Sequence, residues 1–210
     1  MAHIALFHSV LGITPGVRAA ADLLRDAGHT VTVPDLFDGA TFDDYETGSH
    51  HTDQVIGMPA LTAAAIAAVE GLPPDLVVAG FSNGGMLAEW VAAHRPVGAV
   101  VLLSGILPLA WFGELAPRLT WPRGVPVQSH SMREDPWYDD GAVELLATEV
   151  AASGAELEHH WYDGTGHLLT DASRPDEYDP AAADLLWSRV TAFLDQVERA
   201  DRSSPGDAST

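Results

Sequence analysis

Ser82 stands between two glycines, in Gly80-Phe81-Ser82-Asn83-Gly84, where the apolar run "DLVVAGF" (75–81) gives way to the amphipathic run "GGMLAEWVAAH" (84–94). The spacing G-x-S-x-G has a mechanical basis. A strand that turns directly into a helix holds the serine in a strained backbone conformation. The residues two positions away must lack side chains, because strand and helix nearly touch there. The hydroxyl is then raised beside a helix start, where free N–H groups and the helix dipole stabilise negative charge. The chemistry this suggests is nucleophilic attack on a carbonyl. The pattern alone is weak in a chain with 19 Gly; its setting between strand and helix carries the reading.

A serine hydroxyl is a poor nucleophile until a base takes its proton, and that base is usually a histidine oriented by a carboxylate. In a sheet with such an elbow the chain order is Ser, then Asp or Glu, then His. Downstream of Ser82, His130, His159 and His160 fall within strand-like stretches, and the last two are adjacent, so at most one faces a given side. His167 lies in a glycine-bearing loop, "YDGTGHLLTD" (162–171), just past the last strand, and is the candidate base. For the acid, the turn after "VPVQSHSM" (125–132) offers Asp135, with Glu134 in reserve; Asp163 and Asp171 are too close in sequence to His167 to be favoured. An oxyanion needs two N–H donors. The expected pair is the amide of Asn83 and an amide from "HSVLGITPG" (8–16), best assigned to Val10.

The elements that must position these groups follow from alternation of apolar and amphipathic runs. Strands are expected at 3–9, 29–36, 75–81, 97–105, 125–132 and 155–163, and helices at 16–28, 60–71, 84–94, 140–153 and 180–200. Interleaving of this kind implies an α/β fold: a doubly wound, mostly parallel sheet of about six strands with helices on both faces. Ligands bind such sheets beyond the carboxyl ends of the strands. That edge should gather His8, Ser9, Ser82, the 130–137 turn and the 164–167 loop. Two segments have no periodicity: the acidic loop 37–54, and 107–124, whose Trp111, Phe112 and Trp121 are candidates to roof a pocket.

The chain has 210 residues, enough for one domain over 1–200 with a polar, frayed tail at 201–210. No run of 18 apolar residues appears, and the N-terminus reads as a first strand rather than a signal peptide, so a cytoplasmic protein is expected. Cysteine is absent, which excludes disulfides, thiolate metal sites and a cysteine nucleophile. A formal charge of −20, with arginine as the only strong base, argues against nucleic-acid and membrane partners. His50, His51 and Asp53 are near neighbours in "HHTD", and adjacent residues rarely converge on one ion. No metal and no cofactor are therefore expected.

The segments "TVTVPDLFDG", "GFSNGGMLAEWVAA", "HHWYDGTGHLLTD" and "AAADLLWSRVTAFL" resemble the dienelactone hydrolase family of α/β-hydrolases, over most of residues 2–197. The resemblance implies a compact α/β-hydrolase fold, with Ser82 as nucleophile, Asp135 as acid, His167 as base, and Val10 and Asn83 as oxyanion amides. It also marks departures. The best-known members use a cysteine nucleophile where this chain has Ser82. They control that thiol with a glutamate in the first loop, where this chain has Ser9. They hold a substrate carboxylate with arginines, one of which falls where this chain has Asp171. The expectation is a serine hydrolase acting on a small neutral or weakly polar ester or lactone, with Ser9, Trp111, Phe112 and Trp121 near the substrate. A non-catalytic ligand-binding protein, or an acyltransferase or cyclase using the same residues, remains open, as does the oligomeric state.

Overall fold

Along β1 (His3–Phe7), Ile4 and Leu6 enter one buried cluster while Ala5 and Phe7 enter another, as the two-residue period of a strand requires. The same split runs through β3 (Val77–Phe81) and β4 (Ala99–Leu103), where every residue is buried because both sheet faces are covered. With β2 (Thr30–Thr32), β5 (Val127–Met132) and β6 (Leu157–Tyr162) they form one wholly parallel sheet in the order β2-β1-β3-β4-β5-β6. The computed structural model describes residues 1–115 and 119–203.

Helices α1 (Pro15–Asp26) and α6 (Pro180–Ser203) cover one face, with Val17, Leu24, Leu186 and Val190 in the same cluster as Ile4 and Leu6. Helices α3 (Met58–Ala68), α4 (Asn83–His94) and α5 (Asp140–Ala152) cover the other, with Leu61, Leu87 and Leu146 beside Phe7. Because β1 lies between β2 and β3, the chain reverses its winding there. The loops after β1 and β3 diverge and open a crevice at their carboxyl ends. These are the loops that carry Val10 and Ser82.

Strand β2 is shorter than the expected 29–36, since Pro34 ends its ladder. The larger difference is at 37–54, expected as a loop. From Tyr45 this stretch is helical: α2 (Tyr45–His50) runs into a π-helical turn (His51–Ile56) and then α3. Asp44 caps α2 by accepting from the Thr47 amide at 2.8 Å, and Gly48 lets the helix backbone lie against the Val10 carbonyl. Sequence periodicity misses this segment because its anchors are single residues rather than an apolar stripe. The His51 ring packs against Phe37 and Phe42, at 5.1 and 4.9 Å. Of the tail expected at 201–210, residues 201–203 belong to α6, and 204–210 lie outside the described residues.

Candidate active site

At the end of β3 the chain turns into α4 through Ser82, whose φ of 52° and ψ of −117° are strained for a residue with a side chain. The local sequence makes this turn possible. A Cβ on Gly80 would overlap the Gly84 carbonyl, and a Cβ on Gly84 would overlap the carbonyls of Phe7 and His8. The two glycines therefore let β3, α4 and β1 meet. A further glycine, Gly105 after β4, leaves room for the Ser82 backbone itself.

His167 reaches the elbow from the loop after β6. Its Nε2 lies 2.7 Å from Ser82 Oγ, and its Nδ1 lies 2.7 Å from Asp135 Oδ2. A carboxylate can only accept, so Nδ1 carries the proton and Nε2 is left to accept from the serine hydroxyl. Asp135 is only 7% exposed and His167 only 6%. The other oxygen of Asp135 accepts from the Trp137 amide at 2.9 Å, which fixes the carboxylate in its turn. Glu134 differs from its neighbour: it is exposed, and its tie to the site is its backbone N–H, donated to the Gly164 carbonyl.

The two residues expected to supply oxyanion amides, Val10 and Asn83, line the same cavity as Ser82. Asn83 opens α4, and the first N–H groups of a helix have no acceptor within the helix. Val10 follows Ser9, whose carbonyl accepts from His8 Nδ1 at 2.7 Å and from the Gly12 amide at 3.1 Å. A trans peptide points its N–H opposite its carbonyl, so the grip on Ser9 also sets the direction of the Val10 N–H. His8 Nε2 in turn accepts from the Leu36 amide, and burial lowers its pKa despite the bond to Ser9. His8 is thus a neutral structural histidine that orients a peptide. Sequence alone put it at this edge without a role.

Val10, Ser82, Asn83, Asp135 and His167 all line one cavity of about 420 Å³. Of the three loop aromatics expected around it, Trp111 is there, 43% exposed. Phe112 is not: it is buried against Trp90, with ring centroids 5.0 Å apart. Trp121 is likewise buried, and its Nε1 donates to the Val125 carbonyl at 2.8 Å. Ser9 also lies outside the cavity lining, its hydroxyl accepting from the Leu11 amide. The aromatics that join Trp111 are instead Tyr45, Trp137 and Tyr138.

Further polar groups, partly or fully buried, brace the loops of the site. Glu177 Oε2 accepts from the Leu168 amide at 2.8 Å and from Tyr45 Oη at 2.7 Å, while Oε1 pairs with Arg174 at 2.7 Å. Burial pushes this carboxyl up, but those three bonds outweigh it and hold its pKa below the ordinary value. Tyr45 is raised by burial and by the same bond, so it remains a phenol. Asp171, expected in place of a substrate-binding arginine, is buried: it accepts from Thr14 Oγ1 at 3.0 Å and packs against Gly16, tying the His167 loop to the start of α1. Glu89 and Glu149 hold the loop after β4 through the amides of Leu107, Leu109 and Ala110.

A doubly wound parallel sheet with a strained serine elbow after its third strand is an α/β-hydrolase. The chain belongs to the dienelactone hydrolase family, whose model matches residues 2–198. It is 28% identical over 214 residues to a carboxymethylenebutenolidase of Rhodococcus opacus, covering 92% of this chain and 80% of that protein. Among solved structures it resembles a dienelactone hydrolase-like promiscuous phosphotriesterase from metagenomic libraries (TM-score 0.76, 19% identity, 94% and 87% of the two chains). It also resembles a propionate-bound esterase of Thermogutta terrifontis (TM-score 0.65, 18% identity, 93% and 83%). These likenesses to solved structures concern the fold. Membership of the family makes the chain a hydrolase of esters or lactones acting on small molecules. Among the described residues, no helix is long and apolar enough to cross a membrane.

Proposed function

We propose that this protein is a serine hydrolase, cleaving a small carboxylic ester or lactone through an acyl-enzyme on Ser82, with the machinery carried by one domain spanning 1–200. One observation carries the reading: the unbroken chain of two 2.7 Å hydrogen bonds from Ser82 through His167 to Asp135, facing a cavity. In this mechanism Ser82 Oγ bonds to the carbonyl carbon while its proton passes to His167 Nε2. Asp135 stabilises the imidazolium so formed. The oxyanion is held by the amides of Val10 and Asn83. Collapse breaks the bond to the leaving alkoxide, which takes the proton from His167. Water then repeats the sequence on the acyl-enzyme and frees the acid and Ser82.

The test is a panel of p-nitrophenyl esters and lactones assayed with wild type and Ser82→Ala side by side. The variant should lose turnover roughly a million-fold with its fold intact. A fluorophosphonate should label the wild type and not the variant. Equal esterase activity in both would remove Ser82 from the mechanism.

A further inference from the structure

We infer that the cavity selects esters whose leaving alcohol carries a cationic group and discriminates against carboxylates. The inference rests on the hydrolase reading above and adds the substrate's charge. His167 must protonate the leaving oxygen, so the alcohol portion lies on the His167 side of Ser82. That side is walled by Trp137, whose ring centroid is 6.2 Å from that of His167 and 5.6 Å from that of Tyr45. Trp137 is 60% exposed, and an indole left in water at a cavity mouth is not explained by core packing. Trp111 faces the same mouth from the loop after β4, and the edge of its indole is 4.0 Å from where a Cβ on Gly141 would stand. Asp139, the N-cap of α5, lines the same cavity as the two indoles.

The charge of the lining is one-sided. Among the described residues, its ionisable side chains comprise Asp135, Asp139 and His167 with the two tyrosines, and no Arg is among them. Asp135 is committed to His167; Asp139 is exposed, with Oδ1 accepting from the Gly141 amide at 2.8 Å. Arg174, the cation stacked on Tyr45 at 4.9 Å, is neutralised by Glu177 and lies outside the lining. Indole faces attract cations through their quadrupole. A carboxylate beside them adds to that attraction and repels an anion. The overall charge of −20 acts in the same direction.

The test uses three esters sharing one acyl group that the enzyme hydrolyses: the choline ester, its neutral 3,3-dimethylbutyl isostere, and the 3-hydroxypropanoate ester. At low salt, kcat/KM should fall in that order, with the cation favoured over the neutral isostere about three- to tenfold. The carboxylate should be disfavoured by a further factor of about ten, and both ratios should shrink as salt is added. Asp139→Asn keeps the helix cap and removes the charge, so the cation-to-neutral ratio should drop severalfold while α5 remains formed. Trp137→Leu should lower the same ratio. Equal kcat/KM for the three esters, a preference for the carboxylate, or a ratio untouched by Asp139→Asn would each overturn the selectivity and leave the hydrolase reading standing. Turnover of none of them, with no fluorophosphonate labelling at Ser82, would overturn the hydrolase reading and this inference with it.

Discussion

His130 and His167 are both buried, and each is held through both ring nitrogens at 2.7 to 2.9 Å, yet their surroundings make them different groups. His130 sits within β5, between Gln128 Oε1 and Tyr162 Oη. Both partners are neutral. Burial, together with the neighbouring His160 and Arg189, pushes its pKa well below the ordinary value, so it has no means of holding a proton near neutrality. His167 sits in a loop beyond the sheet, with a carboxylate on one nitrogen and a serine hydroxyl on the other. What separates them is the charge of one partner and access to a cavity, rather than the number or length of the bonds.

The sharpest way to break this comparison is to make the partner of His167 neutral too. Under the proposed mechanism Asp135→Asn should cost about ten-thousandfold in kcat, because an amide does not stabilise the imidazolium and can select the wrong tautomer. Ester hydrolysis at the wild-type rate in that variant would show that the carboxylate is not what distinguishes the two histidines.

The converse variant is His130→Leu, which should leave kcat of the folded protein unchanged. It strands Tyr162 Oη and Gln128 Oε1 without their partner, at a cost of about 2–4 kcal/mol in unfolding free energy. The variant also isolates a pH effect. Below the unfolded value of 6.5, the unfolded chain binds a proton at His130 that the folded protein does not. Wild-type stability therefore falls as pH falls, by about 1.4 kcal/mol per unit for such a group. His159, pushed to about 4 chiefly by burial, contributes in the same direction in both proteins. Denaturant titrations at pH 7 and pH 5 should show the deficit of His130→Leu narrowing by about 1–2 kcal/mol. A deficit that widens would mean that His130 is charged when folded.

The two histidines also mark how far the sequence could be read. His130 could be placed within a strand, and His167 in a glycine-bearing loop just past one, because both signals are local. The elbow was readable for the same reason: Gly80 and Gly84 answer a steric demand made within five residues. Asp135 and Glu134 were separable only by the turn that faces one inward and leaves the other in water. The pocket wall was least readable. Trp111 and Phe112 are adjacent, yet one lines the cavity and the other packs on Trp90. Tyr45 lies in a stretch without periodicity and is placed by Glu177, 132 residues away. Contacts of that range leave no local pattern.

The smallest expected effect concerns what holds His167 still. His130 is kept in place by its own strand, whereas a loop histidine needs external bracing, and Glu177 supplies part of it through the amide of Leu168, the next residue. Glu177→Gln keeps an oxygen for that amide and for Tyr45 but loses the charge that pairs with Arg174, so kcat should fall by no more than about tenfold. Glu177→Ala removes the acceptor as well and should cost more, with fluorophosphonate labelling of Ser82 slowing in parallel because, in the proposed mechanism, His167 activates both reactions. A purely structural role would lower the unfolding free energy and leave the labelling rate of the folded protein untouched. That outcome would shift the bracing to the backbone, where the Asp179 amide donates to the Leu169 carbonyl at 3.1 Å and Gly166 lies against the Glu177 carbonyl.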